Sequence, residues 1–297
     1  MKQIKKYITE KLQLSSKIAK HHYNYFPKRD VDFRYLIHEL VRERKNDDII
    51  DLNDIDVSAI ENFSNVFTDL ASYIKRIDIS GWDVSNATTF NSMFFKCNNM
   101  VYCEPLTNWN TSKVTDMSKM FEQCDKLESI DISGWDTSNV TTMSNMFALC
   151  SNIKNVDATG INTLNVTTFE AMFDRCYQLT EVRGLDRWNT DHLVYTGNMF
   201  AYCRNLKQID ISGFDVQNLK HTHLMFLGCE RLESVGDLSL WTNVELSTMS
   251  SMFDGCINLQ SVGDISNWKI PNEWHRMHVF RNCKKLKKKP SWAKRSR

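Results

Sequence analysis

The word Phe-x-x-Cys returns eight times along this chain of 297 residues at an almost fixed step, and that regularity leaves few folds open. The copies run from Phe94/Cys97 through Phe121/Cys124, Phe147/Cys150, Phe173/Cys176, Phe200/Cys203, Phe226/Cys229 and Phe253/Cys256 to Phe280/Cys283, and all but the last are preceded by Met. Successive cysteines lie 26 or 27 residues apart. A constant period in this range marks coils stacked into a solenoid, because each coil buries its apolar face only against its neighbours. Function in such a protein is carried on a surface rather than in a pocket.

The clearest unit runs from Leu127 to Cys150, LESIDISGWDTSNVTTMSNMFALC. Leu127, Ile130 and Ile132 read as a short strand pointing inward, with Ser129 and Asp131 pointing out. Gly134 allows a turn, and Trp135 stands 12 residues before Phe147. The same offset places Ile55, Trp82, Trp109, Ile161, Trp188, Phe214, Trp241 and Trp268 before their own phenylalanines, which adds a ninth, degenerate coil ending at Phe67. After the tryptophan come good N-cap residues, Ser138, Asn139 and Thr141, and then Met143, Met146 and Phe147 at the spacing of one helical face. The expected fold is an α/β repeat solenoid of leucine-rich-repeat type, with one short strand and one short helix per 26–27-residue coil and an N-terminal helical cap. Methionine on the inner face is expected as deformable core filler. The Asn-x-Ser/Thr matches at Asn86, Asn110, Asn139 and Asn165 are expected to serve turn capping rather than glycosylation.

The run Ile130 to Cys150 resembles the BspA-like leucine-rich-repeat class, the DUF285 repeat, whose signature is W-[DN]-x-S-x-V-x-x-M-x-x-M-F-x-x-C. The resemblance extends over residues 51–290. It implies a leucine-rich-repeat-type solenoid, found mostly in bacteria and some protists, whose better understood members are surface or secreted proteins that bind host or matrix proteins.

Charge divides the chain into three. Residues 1–46 hold 12 Lys/Arg against 5 Asp/Glu, residues 47–280 hold 16 against 31, and residues 281–297 hold 9 against none. The repeat body is therefore acidic, with a net charge of −15, and both ends are basic. An acidic body repels phosphates, so nucleic acid binding is not expected except through the ends. Residues 1–50 fall outside the repeat. Ile4, Ile8, Leu12 and Leu14 mark one amphipathic helix, and Phe33, Leu36, Ile37, Leu40 and Val41 mark a second, together a cap over the first coil. The basic tail, 284–297, is read by default as a solvated terminus. No run of 18 apolar residues spans a membrane and the N-terminus lacks an apolar signal region, so the expected location is cytoplasmic, with cell surface or virion by a non-classical route as the alternative.

Eight of the nine cysteines mark one place in successive coils. If that side is helical, neighbouring coils lie about 10 Å apart there, beyond the ~7 Å a disulfide bridges, and reduced, buried thiols are expected. With one cysteine per coil and no Cys-x-x-Cys pair, no metal site is expected. No P-loop, dinucleotide fingerprint, HExxH, GxSxG or other nucleophile and base grouping is present, so neither catalytic residues nor a cofactor are expected. His221, His223, His275 and His278 read as degenerate surface positions.

What remains is the outward strand face. Seven residues past each cysteine stand Glu104, Asp131, Asp157, Arg183, Asp210, Gly236 and Gly263, with Asp78 as the earlier equivalent. Tyr102 and Glu181 belong to the neighbouring column. Aspartates stacked about 4.8 Å apart repel unless turn donors or an external cation balance them. Asp78, Tyr102, Glu104, Asp131, Asp157, Glu181, Arg183 and Asp210 are thus the candidate partner-binding residues. The expected function is a monomeric, non-enzymatic module presenting this face to a basic protein partner; the alternative is a surface-displayed adhesin or phage-encoded structural component binding an extracellular target.

Overall fold

A computed structural model describes residues 23–103, 106–242 and 244–295. The first expected helix, Ile4 to Leu14, lies outside the described residues. The second is present as α1 (Asp30–Glu43), with Phe33, Leu36, Ile37, Leu40 and Val41 buried on one face. Phe33 meets the first coils edge-on, with ring centroids 5.4 Å from Phe63 and 5.6 Å from Trp82. Behind the helix, the Arg44 guanidinium donates to both carboxylate oxygens of Asp54, at 2.9 and 2.8 Å.

From Ile50 onward the chain winds into stacked coils joined by parallel ladders. β1 (Ile50–Asp51), β2 (Arg76–Asp78) and β3 (Tyr102–Cys103) form one sheet, and β4 (Ser129–Asp131), β5 (Asn155–Asp157) and β6 (Glu181–Arg183) form a second. Asp131, Asp157 and Arg183 are in register across β4, β5 and β6. Single bridges continue this side as Gln208 to Ser234 to Ser261. A second ladder links Asn62, Thr89, Asp116, Thr142, Thr168, Tyr195, His221 and Thr248. The strands are only two or three residues long because a turn follows each at once. Between the ladders lies one continuous core of stacked Leu, Ile, Val, Met, Phe and Trp side chains.

The short helix expected in each coil is absent: among the described residues no α-helix occurs after Glu43. In its place the Met-Phe segment is a string of tight turns sewn to the next coil. The N–H groups of Phe90, Ser92, Phe94 and Lys96 donate to the carbonyls of Asp116, Ser118, Met120 and Glu122, while Met93, Phe95 and Cys97 close local turns onto Phe90, Ser92 and Phe94. An α-helix needs each N–H for the carbonyl four residues earlier, and here every second one is committed to a neighbour. The path requires two left-handed residues per coil, such as Asn145 (φ 58°) and Leu149 (φ 62°). Each costs about 1–2 kcal/mol for an L-residue, a cost offset by the inter-coil bonds it permits.

Without helices the coils approach closely on this side too. The phenylalanine rings stack at 5.6 Å from Phe121 to Phe147 and from Phe147 to Phe173, nearly parallel. The spacing of about 10 Å expected for a helical side is therefore wrong, and the thiols are placed by hydrogen bonding instead. Each column cysteine donates back to the preceding phenylalanine carbonyl, as Cys150 does to Phe121 at 3.0 Å and Cys203 to Phe173 at 3.2 Å. The eight cysteines of the column are buried, and none of them forms a disulfide. The tryptophans lock the other side of the core: the indole N–H of Trp82, Trp109, Trp135 and Trp241 donates to the carbonyl of Leu52, Ile79, Leu106 and Ile211 in an earlier coil.

The basic tail does not simply extend into solvent. Trp292 packs on Phe280 at 6.1 Å, and its indole donates to the Ile265 carbonyl at 3.2 Å. Lys289 reaches the Phe280 carbonyl at 3.2 Å and Lys288 pairs with Asp264 at 3.5 Å, so apolar and charged contacts together seat the tail on the last coil.

Candidate functional site

The strand face brings most of the candidate residues into one line. Asp78 lies on β2, Tyr102 on β3, Asp131 on β4, Asp157 on β5, and Glu181 and Arg183 on β6, while Asp210 follows in the next coil. Glu104 lies outside the described residues. Each aspartate binds its own turn: the Oδ1 atoms of Asp78, Asp131, Asp157 and Asp210 accept the N–H of Ser80, Ser133, Thr159 and Ser212 at 3.0, 2.9, 3.1 and 2.9 Å. These donors let like charges stand in a column. The hydroxyl and N–H of Thr159 hold the Asp157 carboxyl below its ordinary range. At Asp78 burial pushes upward, but hydrogen bonds from Asn53 and Ser80 outweigh it and the net shift is also downward.

Arg183 breaks the negative column and is itself bracketed. Its Nε lies 3.0 Å from Glu181 and its Nη1 3.9 Å from Asp157. Tyr102 is exposed and carries the Arg76 guanidinium over its ring at 5.7 Å.

Counting from the cysteine misses two members of the column. Gly236 and Gly263 occupy the counted positions, yet the turn carboxylates are Asp237 and Asp264, which accept from Ser239 and Ser266 at 3.0 and 3.1 Å. Both glycines have a positive φ, 83° and 77°, and a Cβ on Gly236 would stand 2.1 Å from Asp210 Oδ1. The signal was the distance to the tryptophan: Val235 and Val262 precede theirs by six residues where Ile130 precedes Trp135 by five. The β6 coil has the same extra residue, since Val182 precedes Trp188 by six, but its positive-φ glycine, Gly184, stands one place nearer the tryptophan.

Beyond β6 the face is open. Among the described residues no bridge joins β6 to the Gln208 segment, although pairing resumes from Gln208 to Ser234. On the opposite side the same two coils stay closed, with Thr168 bridged to Tyr195 and Phe173 stacked on Phe200 at 5.4 Å. Two coils held together at the back and unpaired at the front leave a wedge. The wedge is a cavity of about 390 Å³ lined by Glu181, Val182, Asp186, Gln208, Ile209 and Asp210 among others.

The remaining sequence candidates are accounted for as follows. Asn86, Asn139 and Asn165 donate their amides to the carbonyls of Ser58, Ser112 and Ser138 in the preceding coil, so they tie turns together. His221 stacks on Tyr195 at 4.7 Å, and burial lowers its pKa. His223 and His275 are not plain surface residues, since Nδ1 of each is buried with no partner. Among the described residues no group of three or more His, Cys, Asp or Glu is placed to hold a metal, and no helix is long and apolar enough to cross a membrane.

A family model described as "Mycoplasma protein of unknown function, DUF285" matches residues 37–129, 99–182 and 177–292. The chain belongs to the DUF285 family. Two solved structures resemble this DUF285 chain. One is a leucine rich cell surface protein from Faecalibacterium prausnitzii A2-165, 14% identical, with 75% of this chain and 80% of that chain covered and a TM-score of 0.27. The other is a TLR13–ssRNA13 complex, also 14% identical, with 87% of this chain and 44% of that chain covered and a TM-score of 0.27. No curated protein matches significantly.

Proposed function

We propose that this chain is a non-enzymatic protein-interaction module whose strand face binds a basic segment of a protein partner. The observation that carries the reading is the line of carboxylates from Asp78 to Asp210, each accepting a backbone N–H of its own turn, on a body of net charge −15. A surface already folded and already charged binds without an ordering cost, and its field steers an opposite charge toward it. In this reading residues 1–50 cap the first coil, coils 51–290 carry the face, and the basic tail 284–297 closes the far end.

The test replaces Asp131, Asp157 and Asp210 together by Asn, which keeps an Oδ1 for each turn and removes only charge. Capture from the native organism is compared between wild type and the triple variant, with partners identified by mass spectrometry. A basic protein retained by the wild type and lost by the variant, at unchanged melting temperature, supports the module. Identical captured sets overturn it.

A further inference from the structure

The wedge between β6 and the Gln208 segment has an inner lobe of about 160 Å³, lined by Leu185, Asp186, Trp188, Asp210, Ser212 and Phe214 among others. Two carboxylates and two aromatic rings therefore share a compartment the size of one side chain. Trp188 and Phe214 are 5% and 6% exposed, so the lobe is walled by core side chains. Asp186 is exposed and stands in the turn that Gly184 opens at φ 84°. Trp82, Trp109, Trp135 and Trp241 donate their indole N–H to backbone carbonyls, whereas the buried Nε1 of Trp188, like that of Trp268, has no partner.

We infer that this wedge is a socket for one lysine or arginine side chain of an extended peptide. The inference rests on the strand-face reading and names the place on that face where a partner is anchored. A cation entering the wedge passes Glu181, then pairs with Asp186 and Asp210 beside the Trp188 and Phe214 rings, where desolvated cation–π contact adds to charge pairing. A cation here is discriminated from one bound at Asp157, which lies where the coils are paired on both sides through β4 and β6.

The probe is a capped, fluorescein-labelled tetra-arginine peptide, titrated against the full chain by fluorescence anisotropy at 0.15 M salt. Asp186→Asn, which keeps the size of the side chain and removes its charge, is expected to weaken binding at least tenfold. Asp136→Asn removes the same charge from an exposed turn off the column and is expected to change affinity less than twofold. Equal weakening by Asp186→Asn and Asp136→Asn overturns the socket while leaving a diffusely acidic surface intact. No binding to the wild type also overturns it. Melting curves of each variant separate loss of binding from loss of fold.

Discussion

Raising the pH should unfold this protein far more steeply than most, because the column thiols must keep their protons while folded. Burial pushes the thiols of Cys97, Cys124, Cys176, Cys203, Cys229 and Cys256 well up, and Cys283 to about 12. In the unfolded chain a thiol ionises near 8.5. Above that pH the folded state binds more protons than the unfolded one, so stability falls as pH rises. Between pH 7.5 and 9.5 a thiol that stays protonated in the fold costs about 1 kcal/mol, so the column together costs several, a large part of the stability of a typical domain. Urea unfolding followed by circular dichroism, under a phosphine reductant at pH 7.5, 8.5 and 9.5, measures the loss. With a slope of about 3 kcal/mol per M, the midpoint should fall by about 2 M. Replacing Cys124 and Cys203 by Ala should make the fall measurably shallower. A midpoint that moves by less than 0.5 M over the same range would mean the thiols ionise within the fold, and the buried column would be refuted.

Two further outcomes test the packing. Phe147→Ala removes one ring from a stack in which both neighbours lie 5.6 Å away, and a loss of about 3–5 kcal/mol is expected in denaturant titration; an unchanged midpoint would place the ring outside the core. A Cβ on Gly160 would stand 1.7 Å from the Ser133 carbonyl oxygen, while nothing lies within 4 Å of one on Gly213. Gly160→Ala should therefore destabilise by about 2 kcal/mol or more and Gly213→Ala by under about 0.5, so equal melting temperatures would contradict the close stacking of turns.

The offset from Trp135 to Phe147 was enough to pick out residues that face inward, since both are buried. The helix was misread because a spacing of three and four fits Met143, Met146 and Phe147 equally well on tight turns, and the backbone angles that separate the two are set by Asn145 and Leu149, which carry no glycine signal. Asp237 and Asp264 were passed over because an inserted glycine shifts the count from the cysteine. The wedge was not legible, since it arises from an unmade pairing between Val182 and the Gln208 segment. Charge placement fared better: Asp131 and Asp157 declare themselves by the Ser or Thr two residues on, a local pattern that needs no tertiary knowledge.

The direction of the bonds between coils has a consequence for how such a chain changes length. Trp135 and Cys150 donate backward, to Leu106 and Phe121, while Phe147 donates forward to the Met172 carbonyl. The Cys and Phe bonds recur from coil to coil, so through them the interior turns offer the same plug on one side and the same receptacle on the other. Excising the segment from one cysteine to the next would rejoin matching ends, so the array can gain or lose whole turns by recombination without a new interface having to evolve, and the wedge can be moved nearer to or farther from either terminus as a unit.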